Sequence, residues 1–190
     1  MRIAILALLL TIASPLTAKT IDLSTRTEST GIYEVSFCAR PSPDSKVPGH
    51  MFVAYSHLPP GGPRKFLSIG HTVGAGTGSA AAAWSYFGDS VPGHLAEERY
   101  TSIRERCLSA KVNKEDYEAA IARTSNPLAK MGIGRPTDEV AELYKLAEND
   151  CMSFAIDIAN LLKPRGLKVP ARGRTELPMA YIQRLIAANG

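Results

Sequence analysis

The hydrophobic period of this 190-residue chain changes from two residues in its N-terminal half to between three and four in its C-terminal half. Residues 32–38 alternate, with Tyr33, Val35 and Phe37 on one face, which is typical of a half-buried strand. Residues 150–162 repeat apolar side chains every three to four positions and end before a proline, which is typical of a helix. Strands followed by helices predict one α+β domain in which an antiparallel sheet packs against helices.

The remaining elements are predicted from local signals of the same kind. Residues 50–57 and 65–72 are expected to form a hairpin, because a proline- and glycine-rich turn separates two strand-like runs. Asn113 is expected to cap a helix that ends near residue 123. The other expectations are a strand at 102–112, an irregular glycine-rich segment at 74–93 with a short helix at 80–85, helical turns at 138–146, and a final helix at 177–188.

The first 18 residues are predicted to be a signal peptide. They combine one positive charge, Arg2, with an apolar run too short to span a bilayer, and they end in Ala18. Residues 19–190 would then form a single exported domain, periplasmic or secreted, without a transmembrane segment. The formal net charge of +4 is mild and unclustered, so no nucleic-acid partner is expected.

The chain has three cysteines, and an exported protein meets an oxidising compartment in which cysteines tend to pair. Cys38 and Cys107 both lie in strand-like segments, whereas Cys151 begins the clearest helix. We therefore predict a Cys38–Cys107 disulfide and an unpaired Cys151. The alternative is that all three are buried thiols.

Cys151 is the candidate nucleophile. A cysteine reacts as its thiolate, and the positive end of a helix dipole favours that anion. The helix start is expected to be capped by Asn149 or Asp150. The main-chain N–H groups of Cys151 and Met152 would be free there to stabilise an oxyanion.

A thiol nucleophile needs a base, and His50 is the candidate. If the hairpin turn is centred on its glycines, His50 and His71 become neighbours at the open end of the hairpin. His50 would then act as the base and His71 as its orienting group, unless His71 is a structural histidine. His57 is an odd number of residues from His50 and falls on the other sheet face, and His94 lies in a loop.

Two short motifs give the chain a resemblance to known enzymes. A histidine follows glycine at a strand start in GHMFVAYS, and an Asn-x-Cys pattern opens a helix in NDCMSFAIDIANLL, with Tyr144 and Leu146 just before it. This order resembles the circularly permuted papain-like thiol enzymes, including permuted NlpC/P60 proteins, lecithin:retinol acyltransferase-like proteins and PPPDE peptidases. The resemblance implies a permuted papain-like fold, Cys151 as nucleophile and His50 as general base, with His71 as a second histidine.

Two rival sites are disfavoured. The segment from Gly76 to Ala81 matches the sequence of a dinucleotide-binding loop but lacks the strand–helix–strand context. Three Gly-His pairs suggest a zinc site, but no helix carries histidines four residues apart. No cofactor or metal is therefore expected. The favoured function is an exported cysteine hydrolase that cleaves an amide of peptidoglycan stem peptide. The alternatives are a lipid acyl-ester hydrolase or acyltransferase and a non-enzymatic binding module.

Overall fold

The computed structural model describes residues 19–42, 48–74, 76–98, 105–130 and 140–190, with the backbone alone at 125–130, 140 and 141. The predicted signal peptide, residues 1–18, lies outside the described residues. Within the described part of the chain, no helix has the length and apolar character needed to cross a bilayer.

The described residues form an α+β structure with a seven-stranded mixed sheet and four α-helices. The strands are β1 (Lys19–Asp22), β2 (Ile32–Arg40), β3 (His50–Leu58), β4 (Lys65–Val73), β5 (Val91–Glu97), β6 (Arg106–Val112) and β7 (Val140–Tyr144). The helices are α1 (Ser79–Trp84), α2 (Lys114–Lys130), α3 (Cys151–Leu161) and α4 (Pro178–Ala188).

The strands lie side by side in the order β1-β6-β2-β3-β4-β5-β7. Every pairing is antiparallel except that between β1 and β6, which is parallel and makes the sheet mixed rather than purely antiparallel. The β3–β4 hairpin pairs Val53 with Ile69 and Phe52 with Gly70, the register expected from its glycine-rich turn. This register brings the start of β3 beside the end of β4.

One face of the sheet carries the main core, because alternate residues of its central strands point toward the helices. Val35, Phe37, Val53 and Tyr55 are fully buried there. The helices α3 and α4 cover this face through a set of buried side chains, namely Met152, Ala155, Ile158, Tyr181, Ile182 and Leu185. Helix α3 is thereby packed against the interior strands β3 and β4.

The two cysteines predicted to pair lie at disulfide distance. Cys38 on β2 is directly opposite Cys107 on β6, with 4.2 Å between their Cα atoms, and the bond joins positions 69 residues apart. Cys151 is the free cysteine among the described residues.

The predicted helical turns at 138–146 are wrong, because residues from Val140 to Tyr144 form the edge strand β7 on β5. The apolar spacing there fits either period, and the pairing with β5 decides it. The irregular segment predicted at 74–93 ends early because β5 begins at Val91, although its short helix exists as α1. The helix after Asn113 runs longer than expected, to Lys130.

Asn113 directly precedes α2, and its carbonyl accepts the Tyr117 N–H at 3.1 Å, as expected of the residue that begins this helix. Its side-chain oxygen accepts from the Thr25 N–H, and its amide donates to the Thr25 hydroxyl, so the side chain ties β6 to the segment after β1. The Lys114 N–H donates to Glu28 instead.

Candidate active site

Cys151 is the first residue of α3, and Asp150 is the residue that caps this helix. The Asp150 carboxylate accepts hydrogen bonds from the N–H groups of Met152 and Ser153, both at 3.0 Å, while Ser153 Oγ accepts from the Asp150 N–H at 2.6 Å. This capping box fixes the first turn of the helix. The local sequence Asp-Cys-Met-Ser therefore fixes Cys151 as the first residue of the helix.

The capping box changes the predicted oxyanion site. The Met152 N–H is committed to Asp150 and is not free, contrary to the expectation. The Cys151 N–H is the donor at this helix end that the box leaves unused. Asn149 does not cap the helix: its side chain donates to the Leu143 carbonyl at 2.6 Å and closes the turn between β7 and α3.

His50 lies between the Cys151 thiol and a carboxylate, that of Glu98. Its Nε2 atom is 2.8 Å from Glu98 Oε1, and Cys151 lies close enough to act on the pKa of the ring. With Nε2 bonded to Glu98, Nδ1 is the ring nitrogen left to exchange a proton with the thiol. The side chains of His50 and Glu98 are only 16% and 10% exposed, so the pair is shielded from water.

This arrangement favours a charged imidazole. Burial lowers the pKa of His50, but hydrogen bonds to Cys151 and Glu98 and the negative charge of both groups outweigh it and raise that pKa to about 9. Burial alone would raise the pKa of Glu98. The hydrogen bond to His50 and the charges of His50 and Arg40 outweigh burial, so the pKa of Glu98 is lowered. At neutral pH the site therefore holds a His50 imidazolium against the Glu98 carboxylate.

Glu98 is held in place from three directions. It follows β5 directly, its N–H donates to the Ser68 carbonyl and its own carbonyl accepts from Ser68 Oγ, both at 2.8 Å. Its second carboxylate oxygen is 2.9 Å from the Arg40 guanidinium. Sequence reasoning missed Glu98, because only the β4–β5 pairing brings this residue to His50.

Gly70 provides the space for this pair. It lies on β4 opposite Phe52, and a β-carbon there would stand 2.5 Å from His50 Nε2 and closer still to Glu98 Oε1. A side chain at this position would therefore displace the carboxylate from the imidazole.

His71 is adjacent to the site but does not orient His50. It is 1% exposed, its ring packs edge-on against Tyr144 at 5.2 Å between centroids, and its Nε2 atom has no hydrogen-bond partner among the described residues. Burial is the main reason that its pKa is lowered, so the ring is neutral at pH 7. Glu98 occupies the place that we expected His71 to take.

The catalytic candidates open onto a cavity of about 730 Å³. His50, Glu98 and Cys151 lie on its wall, together with Val73 and alanines of α1. A smaller cavity of about 90 Å³ is also lined by Cys151 but not by His50. Cys151 therefore lies where two cavities meet. A third cavity, of about 370 Å³, contains none of these residues.

The rival sites find no support in the described part of the chain. No three His, Cys, Asp or Glu side chains among these residues group closely enough to hold a metal ion. The glycine-rich segment before α1 connects β4 to β5, which pair antiparallel, so it is not the parallel strand–helix–strand unit of a dinucleotide site.

Comparison with known proteins finds no matching family model, no similar curated protein and no similar solved structure. The functional argument therefore rests on the residues and their geometry.

Proposed function

We propose that this protein is a thiol hydrolase that transfers an acyl group to water through a Cys151 thioester. The observation that carries the proposal is that Cys151, His50 and Glu98 lie on the wall of the same large cavity, with the His50 ring bonded to Glu98. A nucleophile, a base and a group that orients the base are the parts that covalent acyl transfer needs.

The proposed reaction begins with the Cys151 thiolate and the His50 imidazolium. The sulfur attacks the substrate carbonyl carbon, and the C=O electron pair moves to the oxygen, which accepts the Cys151 N–H. The carbon–nitrogen bond then breaks, and His50 Nδ1 gives its proton to the leaving amine. Water next attacks the thioester and gives a proton back to His50. The carbon–sulfur bond breaks, which releases a carboxylic acid and restores the thiolate.

We also propose a permuted papain-like fold for the chain. The support is the order of the parts: the histidine begins a central strand, and the cysteine begins a helix that packs on the same strand later in the chain. Glu98 in the third position is a departure from the two-histidine pattern expected from the resemblance.

The proposed substrate is a peptide amide of the cell wall. A cavity of about 730 Å³ is large enough for part of a peptide chain. Its wall combines apolar alanines with the triad of Cys151, His50 and Glu98. The experiment is digestion of purified peptidoglycan, with new amine ends measured by labelling and mass spectrometry. We expect Cys151→Ala and His50→Ala each to reduce turnover by about 10³ or more, because such residues act as a unit.

His57→Gln is the matched control for the His50 variant. His57 lies near the other end of β3, where it stacks on Tyr33 and bonds to the Thr30 carbonyl. Its variant should retain full turnover. Equal, small losses from His50→Ala and His57→Gln would refute the assignment of the base.

A lipid acyl ester is the second candidate substrate. The observation that favours it is a pair of exposed aromatic rings, Trp84 at 71% and Phe87 at 78%, immediately after the alanines that line the large cavity. Release of fatty acid from ester-containing vesicles, lost in Cys151→Ala and in Trp84→Ser, would select this substrate. If no thiol reagent labels Cys151 at neutral pH, the protein is instead a binding module.

A further inference from the structure

We propose that Arg40 is a positioning residue of the active site, which acts on His50 through Glu98. This inference rests on the proposed function and adds a fourth residue to its machinery. Arg40 is the last residue of β2 and pairs directly with His50, the first residue of β3. Side chains directly opposite each other on antiparallel strands project from the same face of a sheet. The guanidinium and the imidazole therefore leave the sheet side by side.

Glu98 connects these two side chains. Its Oε1 atom is 2.8 Å from His50 Nε2, and its Oε2 atom is 2.9 Å from a terminal nitrogen of Arg40. Each carboxylate oxygen thus has its own partner, so rotation of the carboxylate toward one partner breaks the bond to the other. The bonds of the Glu98 main chain to Ser68 fix its backbone but not its side-chain rotamer. Arg40 therefore selects the rotamer in which Glu98 meets His50.

The Arg40 guanidinium is itself placed by its surroundings. Its central carbon lies 5.9 Å from the centre of the Phe52 ring, and Phe52 is two residues after His50 on the same face of β3. Gly49, directly before His50, has a φ of 84°, and a β-carbon there would stand 2.6 Å from the Arg40 carbonyl oxygen. A glycine at this position thus lets the ends of β2 and β3 stay close. The Arg40 side chain is 32% exposed and lies on the wall of the large cavity, beside the pair of His50 and Glu98.

Arg40 also keeps Glu98 ionised. Burial acts to raise the pKa of the Glu98 carboxyl, and the bonds and positive charges of His50 on β3 and of Arg40 on β2 overcome that effect. Strand β4 faces this carboxylate with Gly70, which carries no charge. Without Arg40, burial is less well opposed, and Glu98 takes up its proton at a higher pH. A protonated Glu98 has no charge with which to stabilise the His50 imidazolium, so Arg40 extends the working range of the site toward acid.

The test is a double-mutant cycle between Arg40 and Glu98 in the intact protein. The readout is the rate at which neutral iodoacetamide labels Cys151 at pH 7.5. We expect Arg40→Met to lower this rate by about fivefold, as expected when a partly exposed hydrogen bond between charged groups is lost. In a Glu98→Ala background, the same substitution should not lower the rate, because the group through which Arg40 acts is already gone. Arg40→Lys, which keeps a positive charge beside Glu98, should recover most of the rate.

The pKa of the Glu98 carboxyl, followed by carbon NMR, gives a second readout that a merely structural role would not move. It should rise by about one pH unit in Arg40→Met, the low end of the effect of one nearby opposite charge, because Arg40 is partly exposed. It should change little in Arg40→Lys. Arg64→Met is the matched control, since Arg64 pairs with Glu34 near the other end of β2. This control should leave both the labelling rate and the Glu98 pKa unchanged.

Three results would each overturn the positioning role while leaving the thiol assignment intact. They are a wild-type labelling rate in Arg40→Met, an equal loss of rate in both Glu98 backgrounds, and an unchanged Glu98 pKa. Arg40→Gln replaces Arg40→Met if the latter does not fold. If Cys151 of the wild type is not labelled at neutral pH, the proposed function fails, and no active site remains for Arg40 to position.

Discussion

Replacing Glu98 with glutamine should lower the pKa of His50, and so remove the positive charge beside Cys151, without removing a side chain. Glutamine keeps the length and a hydrogen-bonding oxygen of Glu98 but not the negative charge. His50 would then lie near the Arg40 guanidinium with only the Cys151 sulfur to stabilise an imidazolium.

The size of the effect follows from the geometry. Glu98 Oε1 is 2.8 Å from His50 Nε2, so the two charge centres are about 4 Å apart, which corresponds to about 4 kcal/mol at an effective dielectric constant of about 20. That energy equals about three units of pKa. We expect the His50 pKa to fall well below its wild-type value of about 9, because the Glu98 charge is one of the two that raise it. The charged fraction of His50 at pH 7.5 would then drop.

The assay is a titration of the His50 ring by NMR, together with the rate of iodoacetamide labelling of Cys151 at pH 7.5. The labelling rate should fall about tenfold or more, because the thiolate loses its counter-ion. Glu97→Gln is the control, since it removes the same charge one position away on β5. If the His50 titration of Glu98→Gln superimposes on that of the wild type, the electrostatic argument for the triad is wrong.

Three other substitutions test the surroundings of the site. Gly70→Ala should fold with a nearly unchanged thermal midpoint but lose turnover by about 10²-fold or more, because its β-carbon displaces Glu98 from His50; full turnover would contradict this. Asp150→Asn should lower the free energy of unfolding in urea by about 3 kcal/mol at pH 7, since the buried Arg172 loses its partner while the cap is kept. The lowered pKa of Asp150 means that this stabilisation is present above its unfolded pKa and is lost as the pH falls through the folded value, so the wild type and the variant should converge in acid; a constant difference down to low pH would refute the pairing. The double variant Cys38→Ala/Cys107→Ala should lose about 4 kcal/mol in the same assay, as expected for a closed loop of 69 residues, and reduction of the wild type should reproduce the loss.

The parts of the site that local sequence determines were predictable. The start of α3 follows from a capping residue, a following cysteine and an apolar helical period, and all of these are contiguous in the chain. The position of His50 on the first residue of β3 follows from alternation and from a turn whose glycines fix the hairpin register. Met152 was predicted wrongly, because a free N–H at the helix start depends on whether the capping side chain claims it.

The sequence by itself determined the central strands and the later helices, the segments that carry the paired cysteines, and the candidate nucleophile and base, Cys151 and His50. Each is encoded in a run of neighbouring residues whose spacing sets one local period. Only the tertiary structure decided that Glu98 meets His50, that His71 packs against Tyr144 instead, and that Arg172 pairs with Asp150. Those contacts depend on which strands pair and on where the helices pack. Strand pairing and helix packing are set by the apolar surface that the whole domain buries, which no local run of residues specifies.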